Sequence, residues 1–112
     1  MVANGIVKTL DDLLLCQSSS SGAWSDCSLL SGFFVEPALA ESDPKRDEVA
    51  AMVTDSLEAV WATVLALLVL TRKFADKESE WQLIANKAKA FLKSKGIAKP
   101  DALIKTIKIA LV

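Results

Sequence analysis

The sequence predicts an all-α fold, a compact bundle of five to six helices around one buried apolar helix at about residues 56–75. Three observations carry that prediction. Residues 59–71 hold no charge, glycine or proline, and Glu58 and Arg72 bracket them. In the flanking segments, apolar residues return at helical spacing. No stretch alternates with the period of two that a half-buried strand requires, and no hairpin turn signal occurs.

The apolar run would make a helix of about 20 Å, shorter than the ~30 Å hydrocarbon core of a bilayer. A helix that is apolar on every side needs neighbours on every side. It is therefore expected at the centre of the bundle, with Trp61 and Leu65 among its core residues. Asp55 and Glu58 have the spacing of a capping box, which predicts a start at Ser56 and an end near Ala75. Arg72 and Lys73 fall in the last turns, where the helix dipole favours cations.

The remaining elements follow in chain order. Ile6, Val7, Leu10, Leu13 and Leu14 share one face of an amphipathic helix over residues 5–17, with Lys8, Asp11 and Asp12 between them. Residues 18–22, four serines and a glycine, read as a loop. Trp24, a predicted core residue, stands ahead of a short second helix at about 26–34 that carries Leu29, Leu30, Phe33 and Phe34. Asp43 before Pro44 is an N-cap acceptor followed by a proline at the first helical position, so a third helix is expected at about 44–53.

Ser79 and Gln82 repeat the capping-box spacing ahead of the next helix. Trp81, Ile84, Ala85, Ala88, Phe91 and Leu92 form one continuous apolar stripe along it, and Trp81, Ile84 and Phe91 are predicted core. Its end is marked by Gly96 at the left-handed C′ position, with Ile97 placed to fold back on Leu92. Pro100 opens a last helix over 101–112, with Leu103, Ile104, Ile107 and Leu111 on one face.

At 112 residues the chain reads as a single helical interaction domain, 1–112, able to bury about two thirds of its unfolded surface. The net charge is −1, yet residues 77–112 carry eight lysines against three acids and make one end basic. Histidine is absent, and Cys16 and Cys27 alone cannot complete a tetrahedral metal site. Both cysteines read as reduced, partly buried thiols, which favours the cytoplasm. Charged residues inside the first apolar stretch break any signal-peptide core.

No nucleophile lies beside an activating group, and no glycine-rich phosphate loop occurs. The expectation is no enzyme, no cofactor, no metal, no membrane and no small-molecule substrate. Nucleic acid is disfavoured as a partner because the lysine-rich end has no arginine and its aromatics belong to the core stripe. Two apolar residues depart from their stripes: Leu83, nearly opposite Trp81, and Ile109, beside Lys105 and Lys108. Either these meet another helix or, with the two lysines, they mark a partner-binding patch; Phe33 and Phe34 are the fallback surface.

Three segments also resemble a known family. Gly22-Ala23-Trp24 resembles a Gly-Ser-Trp turn, with Ala23 in place of the serine. Trp61-Ala62-Thr63-Val64-Leu65-Ala66-Leu67 is similar to a Trp-Ala-Thr-aliphatic-Leu-Ala-Leu helix. Glu80-Trp81, with Leu83, Lys87-Ala88 and Phe91-Leu92, resembles the helix that follows it. Together they resemble the C-terminal module of the von Willebrand A domain-containing protein 5 family and of the vault poly(ADP-ribose) polymerase. What the resemblance implies is a protein-protein interaction module that docks or targets a protein to a large assembly such as the vault, through major vault protein. A structural module packed on sibling domains, or a weak RNA-contacting domain, are the alternatives.

Overall fold

The computed structural model describes residues 10–17, 22–24, 30, 32–36, 43–53, 55–107, 109 and 111. Among them the chain is an all-α bundle of five helices: α1 (Leu10–Leu15), α2 (Pro44–Met52), α3 (Leu57–Lys73), α4 (Glu78–Ser94) and α5 (Pro100–Thr106). The predicted start of the first helix, the serine loop, Cys27 and most of the second predicted helix lie outside the described residues. Leu30, Gly32 and Phe33 adopt 3-10 rather than α conformation, and Phe34 forms an isolated antiparallel bridge with Leu111.

α3 is the axis of the bundle. Every residue from Val60 to Leu70 is buried, as an all-apolar helix demands. One continuous core joins it to Leu13 of α1, Val49 of α2, the Trp81–Ala85–Ala88–Leu92 stripe of α4 and Ile104 of α5. Ile84 and Phe91 flank that stripe half-buried, and Trp24 is fully buried although it lies in no helix.

Thr63 is the polar exception on α3 and has a specific task. Its hydroxyl donates to the Ala59 carbonyl at 2.7 Å and accepts from the Trp24 backbone N–H at 3.0 Å. The Trp24 indole N–H in turn donates to the Leu13 carbonyl at 2.8 Å. Gly22 completes this corner at φ +82, where a Cβ would come within 2.8 Å of the Lys87 carbonyl oxygen on α4. The Gly-Ala-Trp, Trp-Ala-Thr and Lys-Ala segments therefore meet in space. Thr63→Val should lower unfolding free energy by ~1–3 kcal/mol in urea titration, since the buried Trp24 N–H would lose its acceptor; unchanged stability would contradict that role.

The helix ends divide into those the sequence signals describe and those that tertiary contacts replace. Asp43 caps α2 by accepting from the Lys45 N–H at 2.8 Å. At the end of α4, Gly96 donates to the Lys93 carbonyl and Ile97 to that of Leu92, the two bonds of a Schellman motif, with Gly96 at φ +110. Neither predicted capping box forms. Ser56 takes a left-handed φ of 57 and makes no side-chain cap bond, while the Asp55 carboxylate pairs with Lys95 at 3.2 Å. The 3-10 turn Ala75–Lys77 leads directly into α4, which starts at Glu78 and leaves Ser79 inside the helix.

α5 is also shorter than its apolar spacing implies. It stops at Thr106, Ile107 is extended, and Leu111 is drawn into the bridge with Phe34. Arg72 supplies a reason: its guanidinium donates to the carbonyls of Ile104 and Ile107, engaging acceptors at the C-terminal end of α5. The cation expected to serve the end of its own helix thus reaches the end of another.

Candidate docking surface

The α4 stripe turns Trp81, Ala85, Ala88 and Leu92 inward. Leu83, about 200° around the helix from Trp81, must then face away from the core. It does, at 83% exposure. On the same helix its neighbours one turn away, Ser79, Glu80, Asn86 and Lys87, are all exposed polar residues, so the leucine stands inside a polar rim.

A second leucine, Leu15, projects at 82% exposure from the C-terminal end of α1. Gln17 ties the two helices together. Its side-chain amide donates to the Ile84 carbonyl at 3.0 Å and to the Gly22 carbonyl at 2.8 Å. Leu15 lies two residues from one side of the Gln17–Ile84 bond and Leu83 one residue from the other. The two most exposed large apolar side chains among the described residues thus flank one inter-helix hydrogen bond. Sequence reasoning missed Leu15, but a signal existed: it follows Asp11 by four residues and so shares that polar face.

The other predicted contact residues do not join this patch. Ile109 is half-buried and packs against the core, a correction to its reading as an exposed anchor. Its separation from the Leu103 stripe assumed a continuous helix, and the chain leaves that helix at Ile107. Lys105 is exposed on α5 and lines a cleft with Lys93, about 15 Å along α4 from Leu83. Lys108 lies outside the described residues. Phe33 and Phe34 are both buried, Phe33 against the edge of the Phe74 ring at 5.9 Å, so they form no surface.

Among the described residues no three histidine, cysteine, aspartate or glutamate side chains gather where they could hold a metal ion. No described helix is long and apolar enough to cross a membrane. Cys16 is a half-buried thiol outside any disulfide. The surface ion pairs include half-buried cations joined to exposed carboxylates, such as Arg46 with Glu58 at 3.7 Å and Lys89 with Asp101 at 3.0 Å. Contacts of this kind contribute ~0–1 kcal/mol each and orient helices more than they hold them.

These features define a small helical domain with an apolar central helix and two strongly exposed leucines, one of them ringed by polar side chains. Comparison with protein families, with curated proteins and with solved structures finds no match to this chain.

Proposed function

We propose that the chain is a non-enzymatic protein-protein interaction module of the cytoplasm, and that the Leu83–Leu15 patch is its docking surface. The observation that carries the reading is that two strongly exposed leucines stand within two residues of either end of the Gln17–Ile84 hydrogen bond. Isolated exposed leucines are ordinary, whereas one ringed by polar side chains, with a second at the other end of an inter-helix hydrogen bond, supplies the anchors and rim of a binding surface. Major vault protein is the first partner to test, because the three segments that resemble the vault-associated module include the helix bearing Leu83. Docking to a large assembly such as the vault is the role this would serve.

The test is capture of major vault protein by the purified chain. Capture is expected, and Leu83→Asp should weaken it by ~2 kcal/mol or more with helical content and melting temperature nearly unchanged. An unfolded Leu83→Asp protein would place Leu83 in the core and refute the patch. Association confined to sibling domains of a parent chain would instead favour a structural module. Binding of RNA with a steep salt dependence would favour the lysine-rich end as a phosphate surface.

A further inference from the structure

A second surface lies at the opposite end of α4, where α2, the α4–α5 turn and α5 converge. Two adjoining clefts, of about 470 and 450 Å³, share Ala98, Lys99 and Ala102. Each falls in the range of ~300–1,000 Å³ typical of ligand clefts. Met52, Ile97 and Leu103 make the first cleft apolar, and Met52, at the C-terminal end of α2, is 44% exposed. Apolar side chains lining an open cleft are available to a partner's side chains.

The charges around these clefts are not balanced. The acids that line them are already engaged: Glu48 with Lys45 at 2.9 Å, and Asp101 with Lys89 at 3.0 Å. Lys93, Lys99 and Lys105 line the second cleft and make no ion pair among the described residues. By contrast, Lys77, Lys89 and Lys95 on or beside α4 each have a carboxylate within 4 Å. Three ammonium groups without an ion-pair partner among the described residues therefore border the second cleft, and one of them, Lys99, also lines the apolar first cleft.

We infer that this double cleft binds an acidic peptide segment carrying aliphatic or aromatic anchors, a site separate from the leucine patch. Side chains of the partner fill the space over Met52, Ala102 and Leu103 while its carboxylates meet Lys93, Lys99 and Lys105. The apolar lining selects peptide over nucleic acid, because the clefts carry no aromatic ring on which a base could stack and no arginine to grip a phosphate in two places. Charge complementarity then sets orientation and encounter rate, and the apolar anchors set residence time.

The experiment is selection of a displayed random peptide library on the folded chain, with counter-selection on Ala102→Trp. Ala102 is exposed and lines both clefts, so the indole fills the site without entering the core. The expected winners are rich in Asp and Glu around Leu, Ile or Phe. As synthetic peptides, they should lose at least tenfold in affinity to Ala102→Trp and to the double variant Lys99→Glu with Lys105→Glu, and nothing to Leu83→Asp. If Ala102→Trp fails to fold, the double variant, changed only at exposed positions, serves as the counter-selector. A non-acidic consensus, the absence of any consensus, or affinity indifferent to the double variant would overturn the inference. So would displacement of the peptides by poly(U) or by phosphatidylserine vesicles at lower concentration than by an acidic competitor peptide. Loss of binding in Leu83→Asp alone would merge the two surfaces and overturn it as well.

Discussion

Trp61→Ala is expected to lower the unfolding free energy by ~3–5 kcal/mol, a large share of the ~5–15 kcal/mol that a domain has. Trp61 is fully buried on α3, and its neighbours on that helix from Val60 to Leu70 are buried as well. Removing the indole leaves a cavity among helices that cannot all collapse into it, because each is also packed on the others through the shared core. At roughly 4–8 °C per kcal/mol for a domain near this size, the melting temperature should fall by more than ten degrees. Equilibrium urea denaturation gives the figure directly, and a loss under ~1 kcal/mol would refute the central position of α3.

Gly96→Ala is the second large effect expected. At φ +110 an L-residue is strained, and the backbone alone should cost ~1–3 kcal/mol. The space is closed too, since a Cβ there would stand 2.6 Å from the Met52 carbonyl oxygen. An atom of the chain backbone cannot swing aside as a side-chain tip can. The end of α2 must then move off the end of α4, which disturbs the Asp55–Lys95 pair and the cleft lined by Met52 and Ile97. Thermal denaturation measures the stability lost, and peptide binding to the cleft should weaken in parallel. A variant as stable as the parent would show that the two helix ends are not in contact in solution.

Much of this architecture is legible in the sequence. The run from Ala59 to Thr71 can satisfy its composition only at the centre of a bundle. The 3.6-residue spacing of Trp81, Ala85, Ala88 and Leu92 leaves one inward face for α4, and that spacing also places Leu83 outward. Asp43-Pro44 and Lys-Gly-Ile are local devices, complete within a few residues, and both form as their chemistry requires. Leu15 was equally legible through its spacing from Asp11, which sets it on the polar side of α1.

Other features depend on residues far apart in the chain. Asp55 and Glu58 have capping-box spacing, yet Lys95 and Arg46 supply partners from other helices, and the reversal after α2 puts Ser56 in a left-handed conformation. Ile107 and Leu111 keep helical spacing, but Arg72 takes the last carbonyls of α5 and Phe34 pairs with Leu111. The proposed patch depends on Gln17 reaching Ile84, and the cleft on Met52 and Leu103 coming to one place. Sequence by itself determined which faces are apolar and where local caps close, since spacing and composition act over one or two turns. Tertiary structure decided which helix end meets which partner and which exposed side chains become neighbours, because those contacts close only when the helices pack around α3.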